Sequence, residues 1–204
     1  MAQNETKVIG LTGNSGSGKS TVAKILKEAG ALIVNADSVA YEIMLPGSAA
    51  YKEVALAFDD IVAPNGRIDR KKLAALVFAD PESKAKLDEI TLPYIVSSML
   101  RQVNHVLSLG SGHYPYIVLD APLLFESGLQ THVHEVWVVT ADEQTRLVRI
   151  MRRDSLSEEE ALARLRAQTP EKTLINLADV VIENNYENIA ELTDKIHNLL
   201  KDEV

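Results

Sequence analysis

The chain's 204 residues suffice for one domain with a full core and inserted subdomains. With 46% hydrophobic and 25% charged residues it reads as an ordinary globular chain, and its lack of cysteine excludes a disulfide framework and a cysteine zinc site. A net charge of −8 argues against a general nucleic-acid binder; a polar start at Met1–Lys7 and no run near the roughly 18 apolar residues of a membrane span make a cytoplasmic protein without membrane partners the expectation.

Val8-Ile9-Gly10-Leu11 is short and apolar, as a buried strand is. Residues 13–20, Gly-Asn-Ser-Gly-Ser-Gly-Lys-Ser, follow it and complete the G-x-x-x-x-G-K-[ST] phosphate-binding pattern, a P-loop. Gly13, Gly16 and Gly18 allow positive φ and leave room beside a phosphate. The loop amides then converge on the anion, and the N-terminus of the next helix adds its positive end. Asn14, Ser15, Ser17 and Thr21 complete the expected nucleotide-binding run. Lys19 supplies a mobile cation for the outer phosphates, and Ser20 a hydroxyl ligand for Mg²⁺. Val22, Ala23, Ile25, Leu26 and Ala29 then recur with helical spacing, and Gly30 stands where a helix C-cap is expected. A chance match to this pattern in a chain of this length is on the order of 1%, and the strand and helix flanks lower that further.

Ala31–Asp37 reads as a second strand ending in a carboxylate. Asp37 would then lie on the sheet edge that carries the P-loop, where a carboxylate can accept a hydroxyl proton and orient the oxygen toward a γ-phosphate. The competing reading is a helix cap, with the helix starting near Ser38. Residues 38–110 look helical: Asn65-Gly66 is a turn, Asp69 can cap a helix from Arg70 through Phe78, and Asp80-Pro81 can cap the next. A crossover needs only about a dozen residues, so this stretch is either an inserted subdomain for a second substrate or helices that only pack. Gly110-Ser111-Gly112 is a loop signal.

Tyr116–Asp120 is the third strand. Its terminal Asp120 stands either where a Walker-B carboxylate approaches Mg²⁺ or as a strand-end turn residue. His132 and His134 show no third ligand and read, with His105, His113 and His197, as surface or core residues. Val136–Thr140 is the fourth strand, with Trp137 in the core. Between it and the fifth strand, Val180–Ile182, residues 142–169 form two arginine-bearing helices. Arg146, Arg149, Arg152 and Arg153 share one helical arc, and Leu147, Val148, Ile150 and Met151 the other. Ser157–Glu160 has capping-box spacing and starts a helix that carries Arg164 and Arg166 and stops before Thr169-Pro170. The pair describes either a lid that closes on ATP or a solvated basic face.

The apolar runs lack clean alternation, which suits strands buried on both faces of a parallel sheet. The expected architecture is α/β: a P-loop kinase fold with a five-stranded parallel sheet and flanking helices, ligands lying at the strands' carboxyl ends. The core covers 7–37, 113–141 and 170–204, the helical insert 38–110 and the lid 142–169. Lys19, Asp37 and Arg149 are the expected catalytic residues.

Beyond the P-loop, several segments carry a more specific resemblance. Gly10–Thr21, Asn35-Ala36-Asp37, Gly66–Arg70, Val77–Pro81, Asp120-Ala121-Pro122-Leu123-Leu124-Phe125-Glu126 and Ala178–Asn185 resemble, in order, the dephospho-CoA kinase family. The resemblance implies ATP-dependent phosphorylation of the ribose 3′-hydroxyl of dephospho-CoA, the last step of coenzyme A synthesis, by a monomer or small homo-oligomer. It also implies that Asp37 faces that hydroxyl, that the Arg149 region supplies a lid, and that 38–110 binds the coenzyme A moiety. The family usually has Asp-Ala-Asp where this chain has Asn35-Ala36-Asp37, His-Pro at Leu92-Pro93, and often glycine at Tyr186. Another small-molecule P-loop kinase, of a nucleoside or nucleotide, is the alternative; a switch-type nucleotide-binding module lacks support from the insert and the arginines.

Overall fold

In a computed structural model, which describes residues 6–110, 113–186 and 188–201, strands and helices alternate as the apolar runs predict. The order is β1 (Lys7–Thr12), α1 (Lys19–Glu28), β2 (Leu32–Asn35), α2 (Ala36–Ile43), α3 (Ala49–Ala57), α4 (Arg70–Ala79), α5 (Pro81–Ser108), β3 (Tyr116–Asp120), a short 3-10 turn (Leu129–His132), β4 (Glu135–Thr140), α6 (Glu143–Asp154), α7 (Glu158–Arg166), α8 (Glu171–Asn176), β5 (Val180–Glu183) and α9 (Ile189–Lys201). The polar start before Thr6, and Ser111 and Gly112 of the loop signal, lie outside the described residues.

The five strands form one parallel sheet in the order β2-β3-β1-β4-β5. Its register sets Leu11 of β1 beside Asp120 of β3 on one side and Trp137 of β4 on the other. Parallel strands present their carboxyl ends together, so β1, β3, β4 and β5 deliver the P-loop, Asp120, Ala141 and Asn184 to one edge. Both faces of the sheet are buried, since successive residues from Val8 to Thr12 of β1 are buried whichever face they point to. Ile9, Leu11, Val118, Trp137, Val139 and Ile182 pack with Val22, Ile25 and Leu26 of α1 and with Leu192 and Ile196 of α9. Trp137 is a core residue, its indole N–H donating to Glu135 at 2.9 Å. His134 is structural too: its Nδ1 accepts the Val8 backbone N–H, and its backbone N–H donates to the Val8 carbonyl, each at 2.8 Å.

The described chain divides into two compact units, one drawn from the chain up to Val34 and from Leu107 onward, the other Asn35–Val106. The second unit is helical with a small core of Val54, Phe58, Ile61, Ile68 and Leu73. Its helices start where short polar side chains satisfy otherwise orphaned amides. Asp69 accepts the N–H groups of Lys71 and Lys72 at 3.0 and 3.1 Å, and Asp80 those of Glu82 and Ser83 at 3.2 and 2.9 Å. Asn65 accepts from the Arg67 N–H at 3.0 Å in the predicted turn, where Gly66 takes φ +75°. The Leu92-Pro93 pair falls inside the long α5.

Two expectations need correction. The second strand ends at Asn35, not Asp37. The Asn35 carboxamide accepts the Ser38 N–H at 2.9 Å, so the chain turns helical at Ala36, one residue before Asp37. Asp37 therefore sits in the first turn of α2, and the cap of that helix is Asn35. In α6 the buried side chains are Arg146, Leu147 and Ile150, while Val148 is 53% exposed. The clean split into a basic and an apolar arc fails because Arg146, only 6% exposed, finds polar partners inside.

Candidate active site

The P-loop leaves β1 at Thr12 and enters α1 at Lys19. Gly13, Gly16 and Gly18 all have positive φ, +153°, +82° and +89°. Close packing makes each hard to replace as well. A Cβ would lie 2.4 Å from the Val139 carbonyl oxygen at Gly13, 2.7 Å from the Arg146 carbonyl oxygen at Gly16, and 2.0 Å from the Asn184 amide nitrogen at Gly18. The glycines thus serve the loop's turn and the approach of three neighbours together.

An anion nest turns backbone N–H groups toward its ligand, so its carbonyls must face the protein and find donors there. Each carbonyl from Asn14 to Gly18 has one. The Asn14 carbonyl accepts from the Ser17 N–H at 3.1 Å, and the Gly18 carbonyl from the amides of Thr21 and Val22 at 2.9 and 3.2 Å. The Ser15 carbonyl accepts from Arg146 Nε at 3.1 Å. Arg149 Nη1 reaches the carbonyls of Gly16 and Ser17 at 3.3 and 3.4 Å and that of Asn184 at 3.0 Å. The buried Asn184 carboxamide donates to the Ser17 carbonyl at 2.8 Å. Arg149 is therefore neither on a solvated face nor extended away from the loop; it braces the loop from its carbonyl side.

Lys19 forms a partly buried ion pair with Asp120. Register explains the meeting: Asp120 lies beside Leu11, and the loop carries the chain from β1 back to that edge. Two expected site residues 101 apart in sequence are thus brought together. Ser20, one residue on, is exposed, and Thr21 is half-buried in the first turn of α1. Ser17 is fully buried, and its hydroxyl oxygen has no hydrogen-bond partner among the described residues. Asp37 is two residues along the chain from the end of β2.

The remaining arginines divide. Arg153 donates to the Ser15 hydroxyl at 3.1 Å and to Asp154, which also receives Arg164 at 2.7 Å. The hydrogen bond from Arg153, reinforced by both arginine charges, holds the Asp154 carboxyl below the usual carboxylate range. Burial lowers the Arg146 pKa from the ordinary arginine value, opposed by Glu171 and Glu143. Arg152 and Arg166 are exposed. The predicted capping box is present: Ser157 Oγ accepts the Glu160 N–H, and Glu160 accepts the Ser157 N–H at 2.8 Å. α6 and α7 pack through Leu147, Ile150 and Ala161.

Sequence reasoning assigned no role to Asn184, Asn185 or Gln168. Asn184 holds the loop, and Asn185 accepts the Asp142 N–H at 2.8 Å just before α6. The usable signal was the Asn-Asn pair directly after an apolar parallel strand, at the edge where ligands bind. Gln168 accepts the Ser15 N–H at 3.2 Å, and Thr169 donates to Glu126 at 3.3 Å.

The family model described as dephospho-CoA kinase matches residues 7–191. A dephospho-CoA kinase of Carboxydothermus hydrogenoformans is 44% identical over 179 residues, covering 87% of this chain and 85% of its relative. A solved Thermus thermophilus protein is similar with TM-score 0.80 and 35% identity over 98% of both chains. A dephospho-CoA kinase from Campylobacter jejuni follows with TM-score 0.70 and 28% identity over 96% of both. The phosphate loop, its parallel-sheet frame and these likenesses together make the chain a member of the dephospho-CoA kinase family.

Proposed function

We propose that this protein transfers the γ-phosphoryl group of ATP to the ribose 3′-hydroxyl of dephospho-CoA, giving coenzyme A and ADP. The supporting observation is the P-loop whose carbonyls from Asn14 to Gly18 are all engaged within the protein, so that, apart from the Ser15 and Ser17 N–H groups already bonded there, its amides can face phosphate oxygens. Phosphoryl transfer asks little covalent chemistry of a protein and much positioning and charge stabilisation. Lys19 supplies the cation, and its pairing with Asp120 keeps its ammonium at the strand edge until phosphates compete for it. Gly13–Thr21 binds the phosphates, and Arg149 holds the loop carbonyls away from them.

Ser20 and Asp120 are oxygen donors of the kind a hard divalent cation takes. Among the described residues no cluster of three His, Cys, Asp or Glu could hold a metal ion by itself. Magnesium would in this reading be held by Ser20 and Asp120 together with phosphate oxygens of the nucleotide, and would supply charge neutralisation for the transferred phosphoryl group. Asp37 orients the acceptor hydroxyl and accepts its proton. The helical insert 38–110 holds the coenzyme A moiety, 142–169 covers the nucleotide, and 7–37, 113–141 and 170–204 form the core. Cytoplasmic residence belongs to the same reading; no helix among the described residues is long and apolar enough to cross a membrane.

A coupled assay of ADP release with ATP, Mg²⁺ and a panel of acceptors tests the assignment. Dephospho-CoA stimulates release and nucleosides, nucleotides and shikimate do not. Stimulation by a nucleoside in place of dephospho-CoA would move the chain to the other kinase reading.

A further inference from the structure

Both ends of the α6–α7 hairpin come down on two residues of the P-loop. From α6, Arg146 Nε donates to the Ser15 carbonyl at 3.1 Å, and Arg153 reaches the Ser15 hydroxyl at 3.1 Å. From the segment after α7, the Gln168 carboxamide oxygen accepts the Ser15 N–H at 3.2 Å, and the Thr169 carbonyl accepts from Asn14 Nδ2 at 3.0 Å. The two ends are also tied to each other: Arg146 Nη2 donates to the same Gln168 oxygen at 3.0 Å. Arg146, Gln168 and Ser15 therefore close a ring, and both backbone groups of Ser15 belong to it.

We infer that Arg146 and Gln168 are a positioning pair: they hold the P-loop tip Asn14–Ser15 in its nucleotide-binding shape and so set nucleotide affinity without touching the nucleotide. The chemistry of the pair favours this. A guanidinium offers Nε and Nη donors in one rigid plane, so fixing Nε on the Ser15 carbonyl aims Nη2 at Gln168. A lysine, with a single ammonium on a flexible stem, cannot hold both directions. The site is built at a cost, because Arg146 is 6% exposed and its nearest carboxylate, Glu171, stands 3.7 Å away, beyond hydrogen-bond reach. A guanidinium left in such a place for packing alone would be better replaced by an apolar side chain.

The inference rests on reading Gly13–Ser20 as the nucleotide site, and direct binding separates the two. ADP is titrated calorimetrically into the wild type, Arg146→Ala, Gln168→Ala and the double variant. Each single variant binds ADP about tenfold more weakly, as expected for losing a charge-assisted hydrogen bond. The double variant binds no more weakly than the poorer single, because either change opens the ring. In turnover, KM for ATP rises about tenfold while KM for dephospho-CoA and kcat stay within about twofold. Unchanged ADP affinity in both variants, additive losses in the double variant, or an equal rise in both KM values would overturn the pairing. If Arg146→Ala does not fold, Arg146→Lys and Gln168→Ala carry the same test. A wild type that binds no ADP would overturn the nucleotide site and the pairing together.

Discussion

The phosphate loop and the helical unit Asn35–Val106 are held by different forces. Behind the loop, long-range polar contacts dominate: Asn184 is 167 residues from its partner Ser17, Arg149 is 133 from Gly16, and Gln168 is 153 from Ser15. In the helical unit, order comes from helix caps a few residues long and from a small apolar cluster around Val54, Ile61 and Leu73. The difference follows from the task. A nest of converging amides is not a conformation the chain prefers, and the carbonyls of Ser15, Gly16 and Ser17, which have no local donor, are held by Arg146, Arg149 and Asn184 from far along the chain. Helices need only termination and a face to bury.

That contrast can be broken from either side. Lys19→Ala removes the cation that serves transferred phosphate and should cut kcat by about 10³-fold, read in the coupled assay. Near-normal turnover would place the catalytic charge elsewhere. Gly18→Ala sets a Cβ 2.0 Å from the buried Asn184 amide at φ +89° and should cost about 3 kcal/mol or more, read by chemical denaturation. A cost within 0.5 kcal/mol, roughly the scatter of surface substitutions, would show that the frame behind the loop yields easily. Asp37→Asn should lower kcat by about 10²-fold with ADP affinity unchanged, because it acts on the acceptor side. Collapse of ADP binding would make Asp37 structural instead. Asp69→Ala removes one cap of α4 and should destabilise the chain by about 1 kcal/mol while leaving ADP affinity alone. A loss of ADP affinity there would blur the distinction between locally and distantly held regions.

The same contrast governs what was legible in the sequence. The P-loop, Gly30, the caps at Asp69 and Asp80 and the Ser157–Glu160 box all obey rules spanning at most eight residues, and each stands as read. The third strand matches residue for residue, since its apolar run is bounded by a turn and a carboxylate. The β2–α2 boundary was misplaced because Asn35 and Asp37 can both cap a helix; only coordinates show which oxygen reaches the Ser38 amide. Arg146 was misread because helical periodicity sends arginine to solvent, whereas its partners lie 131 and 22 residues away. Asn184 was visible as a residue type but not as a function, since nothing local to it needs a donor.

The most direct test of the central claim is the position of the new phosphate. The protein is incubated with dephospho-CoA, Mg²⁺ and ATP labelled with ¹⁸O in the γ-phosphoryl group, and the product is examined by mass spectrometry and phosphorus NMR. The account predicts one labelled phosphate on the ribose 3′-hydroxyl of dephospho-CoA, with ADP formed in equal amount. Unmodified dephospho-CoA, or label carried to a different hydroxyl, would contradict it.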